Sequence, residues 1–159
     1  MYKNVNTNVM MCKDVVTDSV SGCKSLIGLF DTIRPKEFNG EYYLTDIKAV
    51  IKNNIMWDSS IVDRRDCLQL TKEYTMVVCL EENGERGMQR ILYEETLDIT
   101  NIVNNGHYLA CNITNILNID ELKIPKPGRY SLVVLIQEKE SDEELGWGMQ
   151  SIFPLTIGF

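Results

Sequence analysis

An all-β fold, built as a single antiparallel β-sandwich over residues 1–159, is predicted by three features of this chain. The first is composition: Val 12, Ile 16 and Thr 10 make 38 β-branched residues against two alanines, Ala49 and Ala110. β-branched side chains are stiff at χ1 and pack well on a pleated surface, whereas Ala is the best helix former, so a helical bundle is the most disfavoured class. The second is spacing, because apolar runs recur at intervals of roughly 8 to 15 residues between turn signals, as in a sandwich or barrel of seven to nine strands. The third is the run after Gly128: Tyr130, Leu132, Val134 and Ile136 occupy one face while Val133 and Leu135 make the other apolar too, the mark of a strand buried on both sides.

In chain order, residues 1–8 form a polar, Asn-rich lead-in of the sort that frays. Val9–Cys12 opens a strand, and Leu26–Phe30 is a second apolar run that would pair with it as a first hairpin. Glu41–Met56 reads as one long strand, with Ile47, Ala49 and Ile51 alternating against Asp46, Lys48 and Lys52. Within Asp58–Leu70, Ser59 or Ser60 could cap one helical turn. Tyr74–Leu80 is a continuous apolar run ended by Asn83-Gly84, the pair that two-residue hairpin turns prefer, with the partner strand at Met88–Tyr93. Asn104-Asn105-Gly106 is another turn, Tyr108–Ile113 another strand, and Asn115–Leu122 has room for one helical or 3₁₀ turn. Trp147, Met149, Ser151, Phe153, Leu155 and Ile157 then share one period-2 register after a charged hairpin connection.

Charge and cysteine usage narrow the function classes. Sixteen basic residues against 23 acidic give −7 and a pI near 4.8, so the surface repels phosphate backbones, and direct nucleic-acid binding is not expected. The five cysteines, Cys12, Cys23, Cys67, Cys79 and Cys111, are odd in number with no CxxC spacing, and residues 1–11 lack the apolar core of a signal peptide. A reducing, cytoplasmic setting with free and mostly buried thiols follows as an expectation. No apolar stretch approaches the roughly 20 residues of a membrane helix, and no membrane partner is expected.

Three stretches, Val9–Val15, Leu26–Ile33 and Ile124–Tyr130 with the strand that follows, resemble a family of small uncharacterised bacterial β proteins. In that family a first strand is followed by a glycine-containing strand ending in Phe-Asp, here Gly28-Leu29-Phe30-Asp31. The Pro127-Gly128-Arg129-Tyr130 corner is also similar to the one that enters the penultimate strand of many immunoglobulin-like sandwiches. The resemblance covers about a third of the chain and implies a fold, immunoglobulin-like or related, with no catalytic or binding residues to carry over. The acidic loop after Gln137 is longer than in the family's pattern, and residues 55–71 have no counterpart in it.

Little in the chain points to catalysis. A single histidine, His107, means that any Ser-His-Asp or His/Cys zinc constellation would have to be built around one residue beside a turn. Cys111 would share a sheet face with His107 only if the strand were regular from His107 onward. The acidic pairs Glu81-Glu82, Glu94-Glu95 and Glu143-Glu144 are adjacent residues that point to opposite faces of a strand and make poor dyads. No P-loop, EF-hand or dinucleotide fingerprint is present, and no cofactor, metal or catalytic residue is expected. What remains is the acidic tip formed by Glu138, Glu140, Asp142, Glu143 and Glu144 leading to Trp147, a charged loop with an adjacent aromatic anchor. The expected function is therefore a non-enzymatic protein-binding module, one form of which is a phage or mobile-element inhibitor of a host complex, with a homodimer as a further possibility. The alternative is a small-molecule or nucleotide sponge with a pocket between sheets or protomers, using Trp57, Trp147 or tyrosines as stacking surfaces.

Overall fold

The computed structural model describes residues 1–59, 64–82, 89–139 and 148–158. Among them the chain is all-β: β1 (Val5–Cys12), β2 (Asp14–Thr17), β3 (Lys24–Ile27), β4 (Thr32–Ile33), β5 (Lys36–Phe38), β6 (Glu41–Leu44), β7 (Ile47–Trp57), β8 (Tyr74–Glu82), β9 (Gln89–Thr96), β10 (Ile102–Asn104), β11 (Leu109–Ile119), β12 (Leu122–Ile124), β13 (Gly128–Glu138) and β14 (Gly148–Ile157). They assemble into a four-stranded sheet β1-β7-β11-β10, a five-stranded sheet β4-β14-β13-β8-β9, a three-stranded sheet β12-β6-β5 and the ribbon β2-β3. Pairing is antiparallel except for β4, which runs parallel to β14, and none of these sheets closes into a barrel.

The two larger sheets share one core. From the first sheet Val9, Met11, Ile51, Ile55, Ile113 and Leu117 enter it, and from the second Met76, Val78, Leu132, Val134 and Leu155. Each such side chain contributes about 1.5–3 kcal/mol by leaving water, which offsets the cost of ordering the backbone that carries it. One polar group sits among them: Asn53 is fully buried, accepts the Thr7 hydroxyl at Oδ1 (2.6 Å) and places Nδ2 3.3 Å from the Met76 sulfur. On β8 and β13 the intervening residues Val77, Cys79 and Val133 are buried as well, so this pair of strands is apolar on both faces.

Tertiary pairing overrides several local expectations. β1 does not pair with the Leu26–Phe30 run; it pairs with β7 from Val5↔Ile55 to Cys12↔Lys48, and β2-β3 form the local hairpin, leaving a single bridge between Met11 and Phe30. The expected long strand over Glu41–Met56 breaks at Asp46, whose φ of 55° ends β6 and starts β7 in a different sheet; Asp tolerates this left-handed conformation through local hydrogen bonding. Asn115–Leu122 holds no helical turn. Its first five residues continue β11 against β7, and Glu121 (φ 52°) leads into β12. No helix occurs among the described residues, which include 64–70 but not 60–63 of the other stretch where a helical turn is expected. The Asn83-Gly84 turn also lies outside the described residues, but Asn39-Gly40, with φ of 52° and 78°, makes the same kind of two-residue turn between β5 and β6.

The Asn-rich lead-in is part of the fold, and a bulge holds it there. Between Val134↔Ser151 and Leu135↔Met149 the β13-β14 register shifts, so Gln150 is an extra residue that interrupts the period-2 register of β14. Its buried amide turns to the edge of the other sheet. Oε1 accepts Tyr2 N–H, and Nε2 donates to Tyr2 C=O and Val5 C=O, each at 3.0 Å. Gln150→Leu removes all three bonds while keeping the volume, and we expect it to cost about 2–4 kcal/mol, read as a lower urea midpoint with an unchanged m-value.

Candidate functional site

At one end of the two sheets the last row of the four-stranded sheet is Asn104–Leu109–Trp57 across β10, β11 and β7. This row overhangs a cleft of about 420 Å³ whose other wall is Gln69, Leu70 and Thr71 from the segment before β8. Asp58, Ser59, Gly106, His107 and Tyr108 complete the lining.

Each wall is fixed by backbone hydrogen bonds to side chains. Trp57 is 6% exposed and its indole N–H donates to Leu68 C=O (2.8 Å), so it is the floor of the cleft rather than a free stacking face. Asn4 grips the same peptide from the other side: Oδ1 accepts Leu68 N–H at 2.7 Å, and Nδ2 donates to Leu68 C=O at 3.0 Å and to Met56 C=O at 3.1 Å. Tyr74 Oη accepts Gln69 N–H (2.8 Å), and the Tyr74 ring meets Tyr2 edge to face with centroids 5.5 Å apart. Burial raises both tyrosines above the usual phenol range. Opposite, Asn104 Oδ1 accepts Gly106 N–H, and Asn105 Oδ1 accepts the N–H groups of His107 and Tyr108 (3.0 and 2.9 Å). With Gly106 at φ 89°, these bonds lock the turn that sets His107 and Tyr108 against the cleft.

His107 and Cys111 do not form a pair. β11 begins only at Leu109, so His107 belongs to the turn, whereas Cys111 is buried in the core with its thiol pushed up first by desolvation, and no hydrogen bond joins them. Cys12, Cys67 and Cys79 are raised by burial in the same way, and Cys23 is the exposed thiol in the β2-β3 loop. No group of His, Cys, Asp and Glu among the described residues has the arrangement of a metal site.

Of the residues in the acidic tip, Glu138 ends β13 opposite Tyr74 and pairs with Lys72 (2.8 Å). Glu140, Asp142, Glu143, Glu144 and Trp147 lie outside the described residues. Trp57 is brought to the cleft as its floor, and the sequence pattern does not single out Gln69, Leu70, Thr71, Asn104 or Leu109, which meet there only through strand pairing of β7 with β11 and the hydrogen bonds that Asn4, Trp57 and Tyr74 make to Leu68 and Gln69. No family model, curated protein or solved structure matches the chain.

Two outcomes are expected. Asp66 is held well below the usual carboxylate range, chiefly by hydrogen bonds from Arg64 (2.9 Å) and Lys3 (2.7 Å). Because the folded-state pKa is lowered, the stabilisation is complete above the ordinary Asp range and is lost as pH falls toward the lowered value. Asp66→Asn should therefore flatten the acid side of the stability-against-pH curve and leave its slope above pH 6 unchanged. For the thiols, a disulfide-exchange reagent should titrate Cys23 alone in the native protein and nothing fast in Cys23→Ser, with the other four reacting only on unfolding.

Proposed function

We propose that the chain is an antiparallel β-sandwich, immunoglobulin-like or related, that works as a non-enzymatic protein-binding module and receives its partner at the cleft end. The observation that carries this is the apolar surround of the cleft. Leu70 and Tyr108 are each 39% exposed on its lining, beside Leu109 and over the buried Trp57. A pocket rimmed by exposed apolar side chains suits an anchor residue carried on a protein surface, because the rim then excludes water around the anchor. A small molecule would need the walls alone.

Charge supports the kind of partner. The chain enters its most acidic segment through Glu138, at the same end as the cleft, and the protein carries −7 overall. A basic partner surface is favoured, such as the nucleic-acid-binding face of a host complex that a phage or mobile-element protein would block.

A second reading, a small-molecule site, is favoured by one specific observation. The His107 imidazole, the Tyr108 hydroxyl and the Thr71 hydroxyl line the cleft and make no side-chain hydrogen bond among the described residues. Such groups could orient a polar ligand over the Trp57 floor.

Leu70→Arg separates the two. Leu70 is exposed, so the substitution should change stability by no more than about 0.5 kcal/mol. In pull-downs from host lysate, a protein retained by wild type and lost by Leu70→Arg and by Tyr108→Ala is the expected result. Equal retention by all three overturns the cleft as the docking site. A melting-temperature rise with a metabolite, abolished by His107→Ala, would install the small-molecule reading instead.

A further inference from the structure

β11 has an edge that no described strand covers. β10 pairs only with Leu109, Ala110 and Cys111, and from Asn112 to Ile119 the strand is bonded to β7 on one side alone. Exposed edges invite strand addition, and proteins blunt them with charge, Pro, bulges or brevity. In the two large sheets the other long edges are blunted: β9 carries Arg90, Glu94, Glu95 and a register shift, β14 beyond the two-residue β4 holds Pro154 and the bulge at Gln150, and β1 is held by Gln150. Asn112-Ile113-Thr114-Asn115-Ile116-Leu117-Asn118 has no charge, no Pro and an unbroken register against β7. A groove of about 250 Å³ opens beside Leu117–Ile119, against Arg90–Leu92.

We propose that a second copy of this chain fills this edge, Asn112–Asn118 of β11 pairing with the same segment of the copy in antiparallel fashion about a two-fold axis through Asn115, with each β10 bordering the paired segment. Symmetry restricts the register. Antiparallel pairing of identical strands in one sheet needs an axis perpendicular to it, which keeps each outer face on the same side and makes a central residue face its own mate. The segment is near-palindromic about Asn115: Asn112 then faces Asn118 of the copy, Ile113 faces Leu117, and Thr114 faces Ile116.

Asn115 has a reason to be at the centre. Its Oδ1 is the buried side-chain polar atom without a hydrogen-bond partner among the described residues, and its Nδ2 makes only a 3.3 Å bond to Tyr93 Oη. Such an orphan costs about 1–3 kcal/mol. Rotation of the amide toward its symmetry mate lets each Oδ1 accept the other Nδ2. The backbone phase agrees. Asn105 N–H reaches Tyr108 C=O (3.2 Å), so the even-numbered residues of β11 aim their backbone groups away from β7, and Asn115 meets its mate as a non-hydrogen-bonded pair with side chains closest.

This surface is distinct from the cleft, so the two proposals stand or fall separately. Sedimentation velocity of the full chain should show a dimer, and Thr114→Pro, which deletes an N–H on the free side without touching the β7 ladder, should weaken it by about tenfold or more. Far-UV circular dichroism and the melting temperature report whether that variant folds. Independently, Asn115→Cys in a Cys23→Ser background should oxidise to a covalent dimer, because facing Cα atoms about 4.5 Å apart accept a disulfide, whereas Asn112→Cys in the same background should not. A monomer at roughly 100 µM, a dimer indifferent to Thr114→Pro, or no cross-link at position 115 overturns the proposal.

Discussion

The margin between the two large sheets is held by side-chain amides, and the rest of the molecule is arranged around that fact. Residues 2–5 lie where the four-stranded sheet meets β14, and several of their backbone groups point away from any ladder. Gln150 answers this with three hydrogen bonds reaching in from the opposite sheet, and the Asn4 amide in turn reaches out with three of its own to the backbone of Met56 and Leu68. An amide suits the task because it offers an acceptor and two donors on one rigid plane, so it can satisfy N–H and C=O groups of the same neighbour. A carboxylate or an ammonium would match only half of the pattern and carry a buried charge.

This arrangement makes the two long sides of the molecule unequal. Along the β1-β14 side the sheets are stitched directly, amide to backbone. Along the β9-β11 side the contact is made by side chains, with Tyr93 bridging Asn115 and Glu95 and Arg90 donating to Lys123 C=O (2.5 Å). The stitched side also positions the cleft. Asn4 and Trp57 converge on the two sides of one peptide at Leu68, so the wall Gln69–Thr71 is set by the same amide that secures the chain near its start. The cleft is thus preorganised by buried groups, although the residues that face its opening are exposed.

How much of this could be read from residues alone depends on the range of the interaction. The β class was legible because β-branched bias and period 2 are local properties, and the two-faced burial of β13 followed from Val133 lying between Leu132 and Val134. Partner choice was not legible. β1 looks like half of a hairpin with Leu26–Phe30, and only the long match with β7, eight residue pairs in register, shows otherwise. Asp46 looked like a polar position on a strand because a left-handed φ leaves no periodic trace. The Asn39-Gly40 turn carries a standard hairpin signal, but β5 and β6 on either side of it are too short to show a period. The cleft was legible only in fragments, as Trp57 and the Asn104-Asn105-Gly106 turn, because Leu109 acquires its role from pairing with the distant Trp57 and Leu70 from hydrogen bonds that Asn4, Trp57 and Tyr74 make to its neighbours.

The clamp between Tyr2 and Gln150 joins residues 148 positions apart. Contacts of that separation are the last to be rewarded in folding, since the loop they close must lose its entropy first. Until β14 is made and its bulge has formed, the strand that borders β7 lacks the bonds that secure its outer margin. The order of events follows from this: hairpins β8-β9 and β13-β14 can form early from neighbouring segments, whereas the outer margin of β1 locks late. Contacts of such separation slow folding for a given size, and residues 2–5 are the part whose backbone stays exposed to solvent longest.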